Sequence, residues 1–166
     1  MRRRALAGMA VWGAVALTLD RVSKLVVARA MAPGESLPVW PGVFHLTYVR
    51  NPGAAFGLLP GWDGLLVVLP AVVTLVALWA VPALAGQHRL APVAGGLVVG
   101  GALGNLLDRM STGLVTDFLD FRVWPVFNLA DTFIVAGAGL LILSLVRGAQ
   151  AEARDRGQFE WRSRGR

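Results

Sequence analysis

The chain of 166 residues contains no cysteine, and only 16% of its residues are charged. The absence of cysteine excludes disulfide bonds, a thiol nucleophile, thiolate zinc sites and S-palmitoylation. Histidine is scarce, with two residues, and no His-Glu-x-x-His motif is present, which argues against a metalloprotease. Hydrophobic residues make up 55% of the chain, a share that is typical of an integral membrane protein.

Four apolar segments approach the length of about 20 residues that is needed to cross a hydrocarbon core of about 30 Å. They are residues 5–28, 65–84, 90–107 and 126–146. The first follows a basic start, as in a signal peptide, but no small-residue cleavage site comes after it, so we expect it to be retained. The sequence predicts one membrane domain at 1–147 and a polar, basic cytoplasmic tail at 148–166.

The net charge of +6 arises mostly from basic residues that flank these segments. In a four-span arrangement, ten of the 16 Lys and Arg residues fall on one side: Arg2, Arg3, Arg4, Arg89 and six arginines from Arg147 onward. The positive-inside rule places this side and both termini in the cytoplasm. No nucleic-acid-binding fold signature accompanies the charge, so we expect no nucleic-acid partner.

Polar side chains collect near the predicted outer ends of three spans. They are Asp20 and Lys24 in the first, Asn105, Asp108 and Arg109 in the third, and Asn128 and Asp131 in the fourth, with Asp117 and Asp120 in the connection before it. Asp131 has no basic residue within one helical turn, so it needs a partner from elsewhere, a proton or water.

Structural roles compete with functional ones at several of these positions. Asp20 and Lys24 are four residues apart and could form an ion pair within one helix. Asp108 with Arg109 could simply end a helix at the interface, and Asn51 could initiate a turn in Asn-Pro-Gly. Close helix packing accounts for the stripe of small residues at Gly96, Gly100 and Gly104.

Carboxylates are the remaining candidates for chemistry. Ser23 and Lys24 are adjacent, so they point about 100° apart on a helix, which is poor geometry for a Ser–Lys dyad. Two close aspartates share one proton, so one can activate water while the other donates to a substrate carbonyl. Asp131 can supply one of the two, and spacing alone leaves the other open among Asp117, Asp120, Asp108 and Asp20.

Five stretches together resemble the lipoprotein signal peptidases (signal peptidase II), a family of bacterial membrane aspartyl proteases. They are DRVSK (20–24), NPGAAFG (51–57), GGALGNLLDR (100–109), VTDFLDF (115–121) and FNLADTFI (127–134). The resemblance implies that Asp117 and Asp131 are the catalytic pair, without a metal or an organic cofactor. It implies substrate-binding or supporting roles for Asp20, Lys24, Asn51, Asn105, Asp108, Arg109 and Asn128.

The family removes signal peptides from diacylglyceryl-modified prolipoproteins, on the amino side of the lipidated cysteine, at the outer face of the bacterial inner membrane. The resemblance implies the same reaction, substrate and location here, in contact with membrane lipids, and we expect a monomer. The first motif departs from the family's Asp-Gln-x-Thr-Lys, because Arg21 and Ser23 replace glutamine and threonine. That departure leaves the role of this segment open.

The expected fold is an all-α integral membrane protein with four transmembrane helices. A small β-structured extracytoplasmic loop should lie between the first two helices, since GVFHLTYVRNPGAAF is rich in aromatic and β-branched residues.

A small proton- or cation-coupled transporter is the alternative function, with the same carboxylates as carriers. Transport favours acidic residues near mid-membrane and an inverted repeat, and the sequence shows neither. A non-catalytic scaffold held by the glycine stripe would leave the one-sided carboxylates unexplained. The sequence therefore favours an aspartic endopeptidase.

Overall fold

The computed structural model describes residues 2–52, Val72, Leu75 and 90–164. The helices are α1 (Arg2–Ala30), α2 (Ala91–Thr112) and α3 (Leu129–Arg164). The strands are β1 (Ser36–Trp40), β2 (Phe44–Asn51) and β3 (Val115–Asp120). One sheet in the order β1-β2-β3 is thus built from segments that lie on both sides of α2 in the sequence.

Helix α2 packs against both α1 and α3 through small residues. A Cβ atom added at Gly96 would lie 2.9 Å from the backbone nitrogen of Gly13 in α1. On the other side, a Cβ added at Gly137 of α3 would lie 2.6 Å from the backbone oxygen of Ala94. Glycine at these positions lets the helix backbones approach closely, which is how helices associate when both face lipid.

The sheet is antiparallel throughout and packs on the end of α1. Leu46 pairs with Leu119 and Val49 with Asp117, with an irregularity in the register between these pairs. Tyr48 of β2 and Phe118 of β3 are buried in one cluster with Val27 and Met31 of α1. This cluster fixes β3, and with it Asp117, against the helices.

The prediction of an all-α protein with four transmembrane helices is wrong. In the described part of the chain, three helical segments have the length and apolar character of spans: Arg3–Ala30, Ala91–Thr112 and Leu129–Gly148. The three strands form a sheet beside them. The predicted span at 65–84 lies outside the described residues, apart from Val72 and Leu75, which are helical.

The sequence placed residues 115–120 in a connection, but they form strand β3, and the difference has a physical cause. This segment has the composition of a short polar connection, since it carries two aspartates in six residues. It nevertheless forms strand β3, because β2 supplies a partner for its backbone from far away in the sequence. Strand formation depends on such neighbours more than on intrinsic propensity.

Candidate active site

The structure brings the nine residues singled out in the sequence into one polar cluster. They come from α1 (Asp20, Lys24), β2 (Asn51), α2 (Asn105, Asp108, Arg109), β3 (Asp117) and the start of α3 (Asn128, Asp131). Eight are joined by hydrogen bonds or ion pairs, and the guanidinium of Arg109 interacts electrostatically with Asp131, Asp117 and Asp108. None of the nine lies outside the cluster.

Asp131 is held by the first turn of α3. The side-chain oxygen Oδ1 of Asn128 accepts a hydrogen bond of 3.0 Å from the backbone N–H of Asp131. In return, Oδ2 of Asp131 accepts one of 3.2 Å from the backbone N–H of Asn128. This reciprocal pattern is a capping box, and the partial positive charge at a helix N-terminus favours the carboxylate there.

Asp117 reaches the cluster because α2 ends sharply. Gly113 has a φ of 73° and donates its N–H to the carbonyl of Arg109, a left-handed cap that turns the chain into β3. In β3, Asp117 is 2% exposed. Its Oδ2 accepts a hydrogen bond of 2.7 Å from Asn51, and its Oδ1 accepts one of 2.6 Å from Asn128.

The environment of Asp117 favours a proton on its carboxyl group. The pKa of Asp117 is raised from its ordinary value of 3.8 to about 6, chiefly by burial and also by the nearby Asp131. Hydrogen bonds from Asn51 and Asn128 and the charge of Lys24 act in the opposite direction. The net shift makes Asp117 a carboxyl group that can hold a proton close to neutral pH.

Two asparagines connect Asp117 to Asp131. Asn128 donates from Nδ2 to Asp117 and, at 3.1 Å, to the side-chain oxygen of Asn105. Asn105 in turn donates from Nδ2 to Oδ1 of Asp131 at 2.7 Å. Lys24 donates to the same oxygen of Asn105 at 2.8 Å. Both carboxyl groups are therefore oriented by amide donors that belong to one network.

The structure separates Asp117 from the other aspartates that spacing left open as partners of Asp131. Asp20 and Asp108 are each paired with Lys24 at 2.9 Å. Asp20 also accepts the backbone N–H of Ala130 at 3.0 Å, and it packs against Gly104 so closely that a Cβ there would overlap its carboxylate. These two carboxylates tie α1 to α2 and to the start of α3.

Asp120 belongs to a different group of contacts on the sheet. It accepts hydrogen bonds from the hydroxyl of Thr47 at 2.7 Å and from the guanidinium of Arg122 at 2.9 Å. Burial would raise the pKa of Asp120, but these hydrogen bonds and the charge of Arg122 outweigh it and lower the pKa. An aspartate that is held ionised in this way cannot readily share a proton with Asp131.

Sequence reasoning missed all the partners of Asp108, including Lys24. Its Oδ1 pairs with the guanidinium of Arg21, and its Oδ2 accepts the backbone N–H of Thr116 at 3.3 Å. The unusual arginine in DRVSK was the available signal, but its partner lies on another helix. Ser23, adjacent to it, donates to the backbone carbonyl of Asp20 and makes no contact with Lys24 among the described hydrogen bonds.

An apolar groove of about 630 Å³ opens beside the cluster. Its lining residues are Phe121, Trp124, Phe127, Asp131, Thr132, Val135 and Ala136. Phe121 stacks on Phe127, with ring centroids 5.9 Å apart, and also contacts Phe44 of β2. The groove thus runs from the carboxylate of Asp131 along α3, one of the three candidate spans.

A group of side chains suited to binding a metal ion is not found in the part of the chain that the structure describes. No three His, Asp or Glu side chains there are grouped in a way that could hold a metal ion. Two carboxyl groups beside an apolar groove have the chemistry for acid–base catalysis.

Comparisons with known proteins show which family the chain belongs to. The family model for signal peptidase (SPase) II matches residues 13–147. The lipoprotein signal peptidase of Pelotomaculum thermopropionicum is 48% identical over 141 residues, which cover 85% of this chain and 93% of that protein. The lipoprotein signal peptidase of Halothermothrix orenii is 50% identical over 131 residues, covering 79% and 90%.

A solved structure has a similar fold over most of its length. A bacterial membrane enzyme determined at 2.3 Å by the in meso method superposes with a TM-score of 0.72 at 27% identity. The match covers 87% of this chain and 90% of that one. From the family match and the close relatives together, the chain belongs to the signal peptidase II family.

Proposed function

We propose that this membrane peptidase is an aspartic endopeptidase whose catalytic pair is Asp117 and Asp131. The observation that carries the proposal is the amide network, in which Asn128 donates to Asp117 and contacts Asp131 through its backbone and side chain. Asp131 raises the pKa of Asp117, and two carboxyl groups that interact in this way share one proton, as in other aspartic proteases.

The proposed reaction uses the two carboxyl groups in different roles. Asp117, whose pKa is raised to about 6, holds the shared proton and donates it to the oxygen of the scissile carbonyl. Asp131 accepts a proton from the attacking water, whose oxygen bonds to the carbonyl carbon. In the second step Asp117 takes back the proton from the hydroxyl formed at the former carbonyl oxygen, the C–N bond breaks, the amine leaves with a proton from Asp131, and the new carboxyl group is released.

Arg109 supplies a fixed positive charge to this reaction. Its guanidinium interacts with both Asp117 and Asp131. A pair that shares one proton carries one negative charge, and Arg109 can balance that charge throughout the reaction.

The proposed substrate is a diacylglyceryl-modified prolipoprotein, cut on the amino side of its lipidated cysteine. The relatives are lipoprotein signal peptidases, and family membership favours peptide hydrolysis over a proton- or cation-coupled transporter. The apolar groove beside Asp131 offers a place for the acyl chains, which reach it by lateral diffusion in the bilayer.

The site is proposed to face the outside of the bacterial inner membrane. Helix α1 runs from the basic residues Arg3 and Arg4 to the cluster at Asp20, and α3 runs from Asp131 toward Arg147. The cluster therefore lies at the opposite ends of these helices from their basic flanks, which the positive-inside rule assigns to the cytoplasm.

The test is cleavage of a synthetic diacylated prolipoprotein peptide by purified protein. Asp117→Asn and Asp131→Asn should each abolish cleavage, because an amide can neither hold nor accept the shared proton. Asp120→Asn, an aspartate on the same strand with other partners, should retain cleavage under conditions where it is folded. Cleavage retained by both Asp117→Asn and Asp131→Asn would refute the proposed mechanism.

A further inference from the structure

Four charged side chains form a second group beside the catalytic pair: Asp20, Arg21 and Lys24 of α1, and Asp108 of α2. Lys24 is 3% exposed and lies 2.9 Å from both Asp20 and Asp108. One lysine cannot neutralise two carboxylates that are almost entirely buried. Arg21, which pairs with the other oxygen of Asp108, supplies the second positive charge and makes the group neutral.

This group is connected to each catalytic aspartate through one other residue. Oδ2 of Asp108 accepts the backbone N–H of Thr116, which directly precedes Asp117 in β3. Lys24 donates to the side-chain oxygen of Asn105, which donates to Asp131. A change in how Asp108 and Lys24 are held therefore reaches both members of the pair.

We propose that Arg21 is a positioning residue of the peptidase, acting through Asp108 on Lys24, Thr116 and the catalytic pair. This inference rests on the proposed function of Asp117 and Asp131. Arg21 itself touches neither of them in the described hydrogen bonds, and its side chain is 42% exposed while that of Asp108 is 9% exposed.

The consequence of losing Arg21 follows from the charges. Arg21 is the more exposed partner of its ion pair with Asp108, so kinetics and thermal unfolding are measured side by side to separate an effect on catalysis from one on folding. Without Arg21, Asp20 and Asp108 both depend on Lys24, and the group carries one unbalanced negative charge. That charge lies close to Asp117 and favours the protonated form of its carboxyl group.

Other charged or titratable groups lie on the elements packed around Asp117, and they keep their identity when Arg21 is substituted. Those toward the Asp117 end of these elements include Asp20 and Lys24 on α1, His45, Tyr48 and Arg50 on β2, Asp108 and Arg109 on α2, Asp120 on β3 and Asp131 on α3. A shift in pH dependence on substitution of Arg21 alone is therefore attributable to its charge.

The experiment compares Arg21→Gln and Arg21→Lys with the wild type in the cleavage of a diacylated prolipoprotein peptide. Arg29→Gln is the matched control, because it removes the same charge from an exposed position on the same helix, away from the group. For each protein, kcat and KM are measured from about pH 5 to pH 9, and folding is checked by thermal unfolding in detergent.

We expect Arg21→Gln to lower kcat about fivefold with KM within about twofold of the wild type. Its pH profile should move about half a unit toward higher pH, since removal of a positive charge makes the carboxyl groups weaker acids. Arg21→Lys should restore most of kcat and the wild-type profile, and Arg29→Gln should match the wild type throughout.

Three results would overturn the inference. They are an unchanged kcat in Arg21→Gln, a lowered kcat with an unshifted pH profile, and failure of Arg21→Lys to restore the profile. The result for the catalytic pair is independent of these. If the wild type cleaves and Asp131→Asn does not, the proposed function stands whatever Arg21→Gln does.

Discussion

Asn105 and Asp131 are joined by a hydrogen bond of 2.7 Å from the amide nitrogen Nδ2 to the carboxylate oxygen Oδ1. A 180° flip of the Asn105 amide would break both of its hydrogen bonds, because its oxygen accepts one from the buried ammonium group of Lys24. A lysine on α1 thus determines which side of an amide on α2 faces a carboxylate on α3. This relationship makes the orientation of Asp131 sensitive to residues that never contact it.

Asn105→Asp should lower kcat at neutral pH by at least about tenfold, because the new carboxylate cannot donate to Asp131 and repels it. The measurement is cleavage of the diacylated peptide at saturating substrate. Ser111→Ala is the matched control near the end of the same helix, since its hydroxyl donates only to the backbone of α2 among the described contacts. Wild-type kcat in Asn105→Asp would contradict the role of the amide.

Asp117→Asn should stabilise the folded protein at pH 7.5. The pKa of Asp117 is raised from 3.8 to about 6 on folding, so the folded state binds the proton more tightly than the unfolded state. Stability is full below the unfolded pKa and falls as the pH rises toward 6, by at most about 3 kcal/mol. Thermal unfolding in detergent at pH 7.5 and near pH 4 measures this difference, which should almost vanish at the lower pH.

Asp120→Asn provides the opposite comparison on the same strand. The pKa of Asp120 is lowered in the folded state, so its contribution to stability is present above the unfolded pKa and is lost as the pH falls. Asp120→Asn should therefore destabilise the protein at pH 7.5 and have less effect at low pH. A shift of the same sign for both variants would show that the two aspartates do not differ as described.

Gly100→Ala should lower the free energy of unfolding by about 1–3 kcal/mol. A Cβ atom at this position would overlap the backbone oxygen of Gly13 and lie 2.8 Å from the Cβ of Ala16, so α1 and α2 would have to move apart. Gly139→Ala is the control, because a Cβ there has no atom within 4 Å. It should stabilise α3 slightly, by about 0.5–1 kcal/mol. Equal effects in thermal unfolding would argue against close packing at Gly100.

Val135→Trp should raise KM for the diacylated peptide, by about fivefold or more, with little change in thermal stability. Val135 lines the groove beside Asp131 and is 72% exposed, so a larger side chain fills the groove without entering the core. Ile142→Trp is the matched control, since Ile142 is 62% exposed on the same helix and does not line the groove. An unchanged KM in Val135→Trp would exclude the groove as the place of the acyl chains.

Much of the candidate site could be predicted from local patterns. Spacing of four residues correctly put Asp20 and Lys24 on one helix face, and spacing of three correctly put Asn128 near Asp131. The structure adds that Asn128 and Asp131 form a capping box. The strand predicted within residues 42–56 is present as β2. These features depend on neighbours within one helical turn or on the composition of one strand, which are visible in the sequence.

The choice of a partner for Asp131 could not be made in this way. Asp20, Asp108, Asp117 and Asp120 have similar chemistry and differ in what surrounds them once the chain is folded. Lys24 engages two of them and Thr47 with Arg122 engages a third. The strand that carries Asp117 was also missed, because its backbone partner lies on the other side of α2 in the sequence.

The sequence by itself determined that the chain is a membrane protein, since apolar runs of spanning length and their basic flanks follow from composition alone. It also determined which polar residues lie near one end of the helices. Tertiary structure decided which of them meet, because burial, hydrogen-bond partners and pKa arise only when α1, α2, α3 and the sheet pack together. Asn128 and Asn105, contributed by two helices, join Asp117 to Asp131, and no local pattern encodes that contact.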